Sequence, residues 1–143
     1  SGTVTKREGM VDMHGIVKGT VVRGEDLCPA GELRISDCHD VVIYGLTPLK
    51  LASIFGCSDA TIVLGPVGQF LRIERCERLQ LIVATKRVTI STCHDCTLFL
   101  GVNRPPCLIG DNRFVQMAPY CTQYDALATH MARVGVSPED NKW

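Results

Sequence analysis

The sequence lacks an apolar run that could span a membrane: nothing in it approaches about eighteen consecutive apolar residues. It lacks net charge, with fifteen basic and fifteen acidic side chains. It also lacks a basic run, and nucleic-acid-binding domains carry a basic footprint, so that class is disfavoured. There is no initiator Met and no apolar leader at the start; Ser1-Gly2-Thr3 reads as the remnant of a tag, and no signal peptide is visible. The end, Asn141-Lys142-Trp143, reads as a cut. The expectation is one domain of a longer protein: an N-terminal extension over 1–13, a repeat body over 14–120, and a helix with its tail over 121–143. The 143 residues, 45% hydrophobic and 21% charged, suit one globular domain.

Two chemistries are missing as well. Cys93-His94-Asp95-Cys96 is a lone CxxC, and a structural zinc site needs a second pair of ligands at matching spacing. No Ser–His–Asp set or carboxylate pair rises above chance. The reading calls for no metal, no cofactor and no catalytic residue of those types.

What is present is a repeat. Leu33-Arg34-Ile35-Ser36-Asp37-Cys38, Ala52-Ser53-Ile54-Phe55-Gly56-Cys57, Leu71-Arg72-Ile73-Glu74-Arg75-Cys76 and Val88-Thr89-Ile90-Ser91-Thr92-Cys93 each place Ile three residues before Cys. The cysteines are spaced 19, 19 and 17 apart. Leu108-Ile109-Gly110-Asp111-Asn112 continues the series with Ile109 in the Ile slot and Asn112 in the Cys slot. Ile16–Val22 reads as a degenerate first coil with Gly19 in the Cys slot. After each Cys a second β-branched run follows, then a turn rich in Gly or Pro.

A coil of about nineteen residues cannot make a sheet alone, but stacked copies hydrogen-bond above and below at about 4.8 Å. The sequence therefore predicts an all-β, right-handed parallel β-helix (a solenoid) with a C-terminal α-helix. Alternation sorts the faces. Leu33 and Ile35, Ala52 and Ile54, Leu71 and Ile73, Val88 and Ile90 point inward. So do Val41 and Ile43, Ala60, Ile62 and Leu64, Leu79, Leu81 and Val83, Cys96, Leu98 and Leu100. Arg34, Ser53, Arg72 and Thr89 point outward. Tyr44, Val63, Ile82 and Phe99 form an outward apolar ridge that wants a cover, from the chain itself or from a partner. A helix over 123–134, capped near Thr122 and stopped by Gly135, presents Tyr124, Leu127, Met131 and Val134 on one face and could supply it.

Cys38, Cys57, Cys76 and Cys93 share one slot and form a structural ladder. Disulfides are within reach of that spacing. Free thiols packing as small apolar groups explain the ladder better and imply a reducing compartment. His39 and His94 each follow a ladder cysteine and read as surface hydrogen-bonding groups at a corner.

The Ile-x-x-Cys coils, the Leu64-Gly65-Pro66-Val67 turn, Met117-Ala118-Pro119-Tyr120 and His130-Met131-Ala132-Arg133-Val134-Gly135 together resemble the C-CAP/cofactor C-like family. That family includes tubulin-binding cofactor C, the retinitis pigmentosa 2 protein and the cyclase-associated proteins, and the resemblance covers roughly residues 31–143. It implies the same right-handed β-helix. In the activating members the resemblance implies an arginine finger for tubulin or Arl-type small GTPases, within a Gln-Gln-Phe-Arg or Gln-Gln-Leu-Arg stretch. Here that stretch is Lys86-Arg87-Val88-Thr89, so Thr89 stands at the finger position. A hydroxyl cannot replace a permanently charged planar guanidinium. Arg72, in the same outward slot one coil earlier, and Arg87 are the candidate displaced fingers.

The resemblance then implies a non-catalytic, protein-binding domain of the branch without the finger, associated with centrosomes, basal bodies and the cytoplasmic cytoskeleton. Tubulin or centrosomal and basal-body proteins would be the partners, through Arg34, Arg72, Lys86, Arg87 and Thr89. The alternative is a GTPase-activating domain for tubulin or an Arl-type GTPase. An actin-regulatory role like that of the cyclase-associated proteins is disfavoured by the Leu-Gly-Pro-Val turn and the helical tail.

Overall fold

The computed structural model describes residues 2–7, 9–24, 26–121, 124–138 and 141–142. In chain order the strands are β1 (Thr3–Arg7), β2 (Met10–His14), β3 (Val17–Arg23), β4 (Glu32–Ser36), β5 (His39–Gly45), β6 (Leu49–Phe55) and β7 (Ser58–Leu64). They continue with β8 (Val67–Glu74), β9 (Glu77–Thr85), β10 (Val88–Ser91), β11 (His94–Val102), β12 (Cys107–Ile109) and β13 (Arg113–Pro119), and helix α1 (Leu127–Val134) follows. The result is a parallel β-solenoid of about six turns, 61% strand.

Two parallel ladders carry the chain. Strands before the corner stack as β2–β4–β6–β8–β10–β12. Strands after it stack as β3–β5–β7–β9–β11–β13. β1 lies antiparallel on β2. The register puts like on like: Ile35 opposes Ile54, Ile54 opposes Ile73, and Ile73 opposes Ile90. All the slots expected to face inward are buried, and they merge into one core with the ladder cysteines.

Two expectations for the ends of the stack are corrected. In the first coil Met13 opposes Ile35 and Val17 opposes His39, so Ile16 rather than Gly19 takes the cysteine slot. The coil has no cysteine to mark its phase, and a glycine looked like the smallest substitute. In the last coil Leu108, not Ile109, opposes Ile90, while Arg113 opposes His94. One extra residue is absorbed around Gly110, whose φ of 74° suits glycine. Asn112 does take the cysteine slot. Its Oδ1 accepts the Cys93 N–H at 2.8 Å, and its Nδ2 donates to the Ile90 and Ile109 carbonyls at 3.1 Å.

The corner has a fixed geometry. The residues one before and two after the ladder slot are left-handed, as at Asp37 (φ 52°) and Asp40 (57°), Arg75 (50°) and Arg78 (49°), and Thr92 (53°) and Asp95 (56°). Aspartate tolerates this region better than most side chains. Backbone pairing continues through the bend. The N–H groups of Asp37, Gly56 and Arg75 donate forward to Phe55, Glu74 and Ser91. Those of Ser58, Glu77 and His94 donate back to Cys38, Cys57 and Cys76. Outside the bend Arg78 clasps Asp59 one rung away at 2.6 and 3.0 Å.

Cys38, Cys57, Cys76 and Cys93 form one buried column, and all eight cysteines of the chain are unpaired. The thiols of Cys57, Cys76 and Cys93 point back to the carbonyls of Ile35, Ile54 and Ile73 at 3.9, 3.8 and 3.8 Å. Hydrogen bonds with Cys57, then burial, hold Cys38 and Cys76 protonated. The same bonds favour a thiolate at Cys57 and burial opposes it; with no lysine or arginine in the column, burial decides for the thiol. Away from the column, burial pushes the Cys28 thiol up to about 11, with Lys6 pulling the other way.

Helix α1 starts later than expected, at Leu127 after Ala126, which makes no side-chain cap. Thr122 and Gln123, where the cap and helix start were expected, lie outside the described residues. Tyr124 precedes the helix and its Oη meets His130 Nδ1 at 3.0 Å. Gly135 stops the helix at φ 75°, and Val136 N–H closes onto the Met131 carbonyl at 2.9 Å. Leu127 and Met131 are buried with Ala84 and Val136. The expected ridge of Tyr44, Val63, Ile82 and Phe99 has no member in that cluster. The helix rests one outward position further on, where small residues let it approach: a side chain on Gly68 would run into Val134.

Two outcomes are expected. Ile73→Ala should cost about 2–5 kcal/mol in urea unfolding, as a large-to-small change in a packed core. Thiol titration should find two fast-reacting groups in the native protein, the exposed Cys107 and Cys121, and eight after denaturation; six or fewer in the denatured chain would mean disulfides in the ladder.

Candidate partner-binding face

From β2 to β10 the strands before the corner bury alternate side chains, so the positions between line up as columns on the outer face. One column runs Asp12, Arg34, Ser53, Arg72, Thr89, Cys107. Flanking it are Met10, Glu32, Leu51 and Phe70 on one side and Ser36, Phe55, Glu74 and Ser91 on the other. The three columns enclose a groove of about 560 Å³, bordered by Leu51, Phe55 and Phe70 and by Arg34, Arg72 and Glu74. Leu51 and Phe55 are each 39% exposed.

Arg72 is held on this face. Its Nε lies 3.5 Å from Glu74 Oε1, and its guanidinium carbon lies 5.8 Å from the centre of the Phe70 ring. An ion pair this exposed contributes well under about 1 kcal/mol, and the ring adds about as much, so the two orient the side chain more than they stabilise the fold. Thr89 is half-buried and opposes Arg72 on one side and Cys107 on the other. Asp12 Oδ1, beside Arg34 in the same column, is buried without a hydrogen-bond partner among the described residues.

The remaining site candidates lie elsewhere. Arg87 is exposed at the bend entering β10, and its carbonyl accepts Leu71 N–H and the Thr85 hydroxyl at 3.0 Å. Lys86 Nζ sits beside the end of α1, 3.3 Å from where a Cβ on Gly135 would lie. Carbonyls at a helix C-terminus favour a nearby cation. The structure thus gathers Arg34, Arg72 and Thr89 into one column and leaves Lys86 and Arg87 off it. Leu51, Phe55, Phe70 and Glu74 were missed by the sequence reading. The alternation that turned Arg72 outward turns them outward too, but the apolar Leu51, Phe55 and Phe70 read as core and Glu74 as an ordinary solvated charge.

The family model for tubulin binding cofactor C matches residues 30–143. The chain belongs to that family. TBCC domain-containing protein 1 from Mus musculus is 33% identical over 94% of this chain. The Homo sapiens and Danio rerio proteins of the same name are 31% and 29% identical over the same share. The chain spans only about a quarter of the length of these relatives, 24% of the mouse protein. The family match includes the coils from Cys38 onward and α1, and so takes in the face described above from Glu32 and Arg34 on.

Because Phe55 is only partly buried, Phe55→Ala should cost at most about 1.5 kcal/mol of stability, well below the cost of emptying a core slot. Urea unfolding of the two variants side by side checks this; a loss equal to that of Ile73→Ala would mean that Phe55 belongs to the core.

Proposed function

We propose that this chain is a non-catalytic protein-binding domain of a cytoskeletal, microtubule-organising protein. Its partners are tubulin or centrosomal and basal-body proteins, which places it in the cytoplasm at the cytoskeleton, at centrosomes or basal bodies. The binding face is the column of Arg34, Arg72 and Thr89 with the groove between its neighbours. The observation that carries this reading is the pairing of Thr89 with a tethered Arg72. The position where activating relatives hold a guanidinium has only a hydroxyl, and the guanidinium one rung away is occupied with Glu74 and Phe70. Apolar side chains flanked by arginines are the usual composition of a binding hot spot.

The alternative from another class is a GTPase-activating domain for tubulin or an Arl-type GTPase that uses Arg72 or Arg87. Arg72 favours it by lying in the finger column. The two readings separate cleanly in one assay. The domain should leave the GTPase rates of tubulin and Arl-type proteins within about threefold of basal, whereas a working finger is worth about 10³-fold or more. Stimulation of that size that vanishes in Arg72→Ala or Arg87→Ala would establish the alternative. In parallel, proximity labelling of the full-length protein should lose its cytoskeletal partners in an Arg34→Glu/Phe55→Glu variant; an unchanged labelling profile would remove the face from the proposal.

A further inference from the structure

The position two residues after the ladder slot is left-handed in every coil: Lys18, Asp40, Asp59, Arg78, Asp95 and Phe114. Five of these side chains are charged and suited to water. The sixth, in the last coil, is an aromatic ring, 80% exposed, on backbone with φ 54°. A bulky side chain in that region is an outlier, and one so exposed gains little burial in return.

Phe114 stands at an unfinished end of the stack. Among the described residues β12 pairs only with β10 and β13 only with β11, so each keeps one open edge. Leu108 opposes Ile90 in an inward column, yet it is 52% exposed because no rung follows it. Ile109 is equally exposed, and Val115 and Met117 are only partly buried against the core. The opposite end differs: β1 lies antiparallel on the outer edge of β2.

We propose that this end is a two-fold interface between two copies of the chain. An axis through the Asn112 corner runs β12 of each copy antiparallel along β13 of the other. It sets Phe114 beside Leu108 and Ile109 across the contact, and it brings each Asp111 to the other copy's Arg113. Three observations choose a second copy as the occupant. Asp111 and Arg113 are exposed at this corner, with Arg113 Nε donating to the Asp111 carboxylate at 3.2 Å, so the patch carries its own electrostatic complement. Fifteen acidic and fifteen basic side chains leave no net charge to oppose association. Head-to-tail stacking is blocked, because β12 would need the edge of β2 that β1 occupies, so the contact closes on itself instead of running on as a filament. This interface is separate from the partner-binding face, and neither reading depends on the other.

The test is sedimentation of the intact chain in reductant across a dilution series. The wild type should pass from monomer to a closed dimer as concentration rises. Phe114→Asp installs the residue type that Asp40, Asp59 and Asp95 supply in the same backbone conformation, so the fold is kept. It should weaken the dimer by about a hundredfold or more, the scale of two lost aromatic hot spots. In dilute solution, where both proteins are monomers, it should melt at or above the wild-type temperature. Asp111→Arg and Arg113→Asp should each be monomeric, and an equimolar mixture of the two should dimerise again, because each copy then supplies the charge that the other lacks. A wild type that stays monomeric throughout would overturn the proposal. So would a dimer that survives Phe114→Asp, charge variants that do not recover on mixing, open-ended oligomers, or a dilute Phe114→Asp protein that melts lower, which would assign Phe114 to the fold.

Discussion

Backbone pairing between successive rungs is the constraint on which everything else depends. Each coil is too short to bury itself, so its strands exist only because the coils above and below complete their hydrogen bonds. Pairing in strict register forces every position to meet its own copy. A side chain that fits in one coil must therefore fit against the same slot in the next, and isoleucine on isoleucine meets that demand along the column from Ile35 to Ile90. The ladder would break wherever the chain turns unless the turn itself could be stacked.

The corner solves this with two left-handed residues around a small buried side chain. The bend is tight enough to keep the core narrow, and its N–H groups still reach the rungs on either side. Cysteine suits the central slot because it is small, apolar and able to donate weakly to a carbonyl. Asparagine replaces it in the last coil, where its larger hydrogen-bonding capacity ties the final turn to the rung before it. The same repetition on the outside produces the candidate face: columns of outward side chains whose spacing is set by the backbone and not by their own contacts.

Legibility in the sequence followed the strength of this repetition. Where cysteine and isoleucine marked each coil, strands, facing and register could all be read. In the first coil, which has neither cue, Gly19 was mistaken for the corner that Ile16 occupies. In the last, one residue inserted near Gly110 shifted Ile109 out of the slot that Leu108 takes. The helix stop at Gly135 was visible because it rests on a local backbone preference. The helix start, and its seat beside Ala84 rather than on Ile82, depend on tertiary packing that no local pattern encodes. Of the site, the column of Arg34, Arg72 and Thr89 was legible from alternation alone. Lys86 and Arg87 lie off the column because they fall in the turn between β9 and β10, and Leu51, Phe55 and Phe70 were hidden because apolar residues in strands look like core.

The ladder of nearest-neighbour rungs also shapes how such a chain acquires and loses order. A rung in the middle, such as β6 with β8 or β7 with β9, is held from both sides, whereas β12 and β13 are each held from one. Assembly can begin at any adjacent pair and grow outward in either direction. Opening runs the other way, peeling from the terminal coils inward. Amide exchange then falls along the axis as a gradient, slowest near the centre of the stack and fastest at its ends. On that axis the Arg34–Arg72 portion of the candidate face lies in the slow middle, while the end of β11, where Asn141 bonds Val102 and Leu100 and Asn103 bonds Ser137, lies near the fast end. That portion of the face is held rigid by its place in the stack, and the seam between the tail and β11 is freer to breathe.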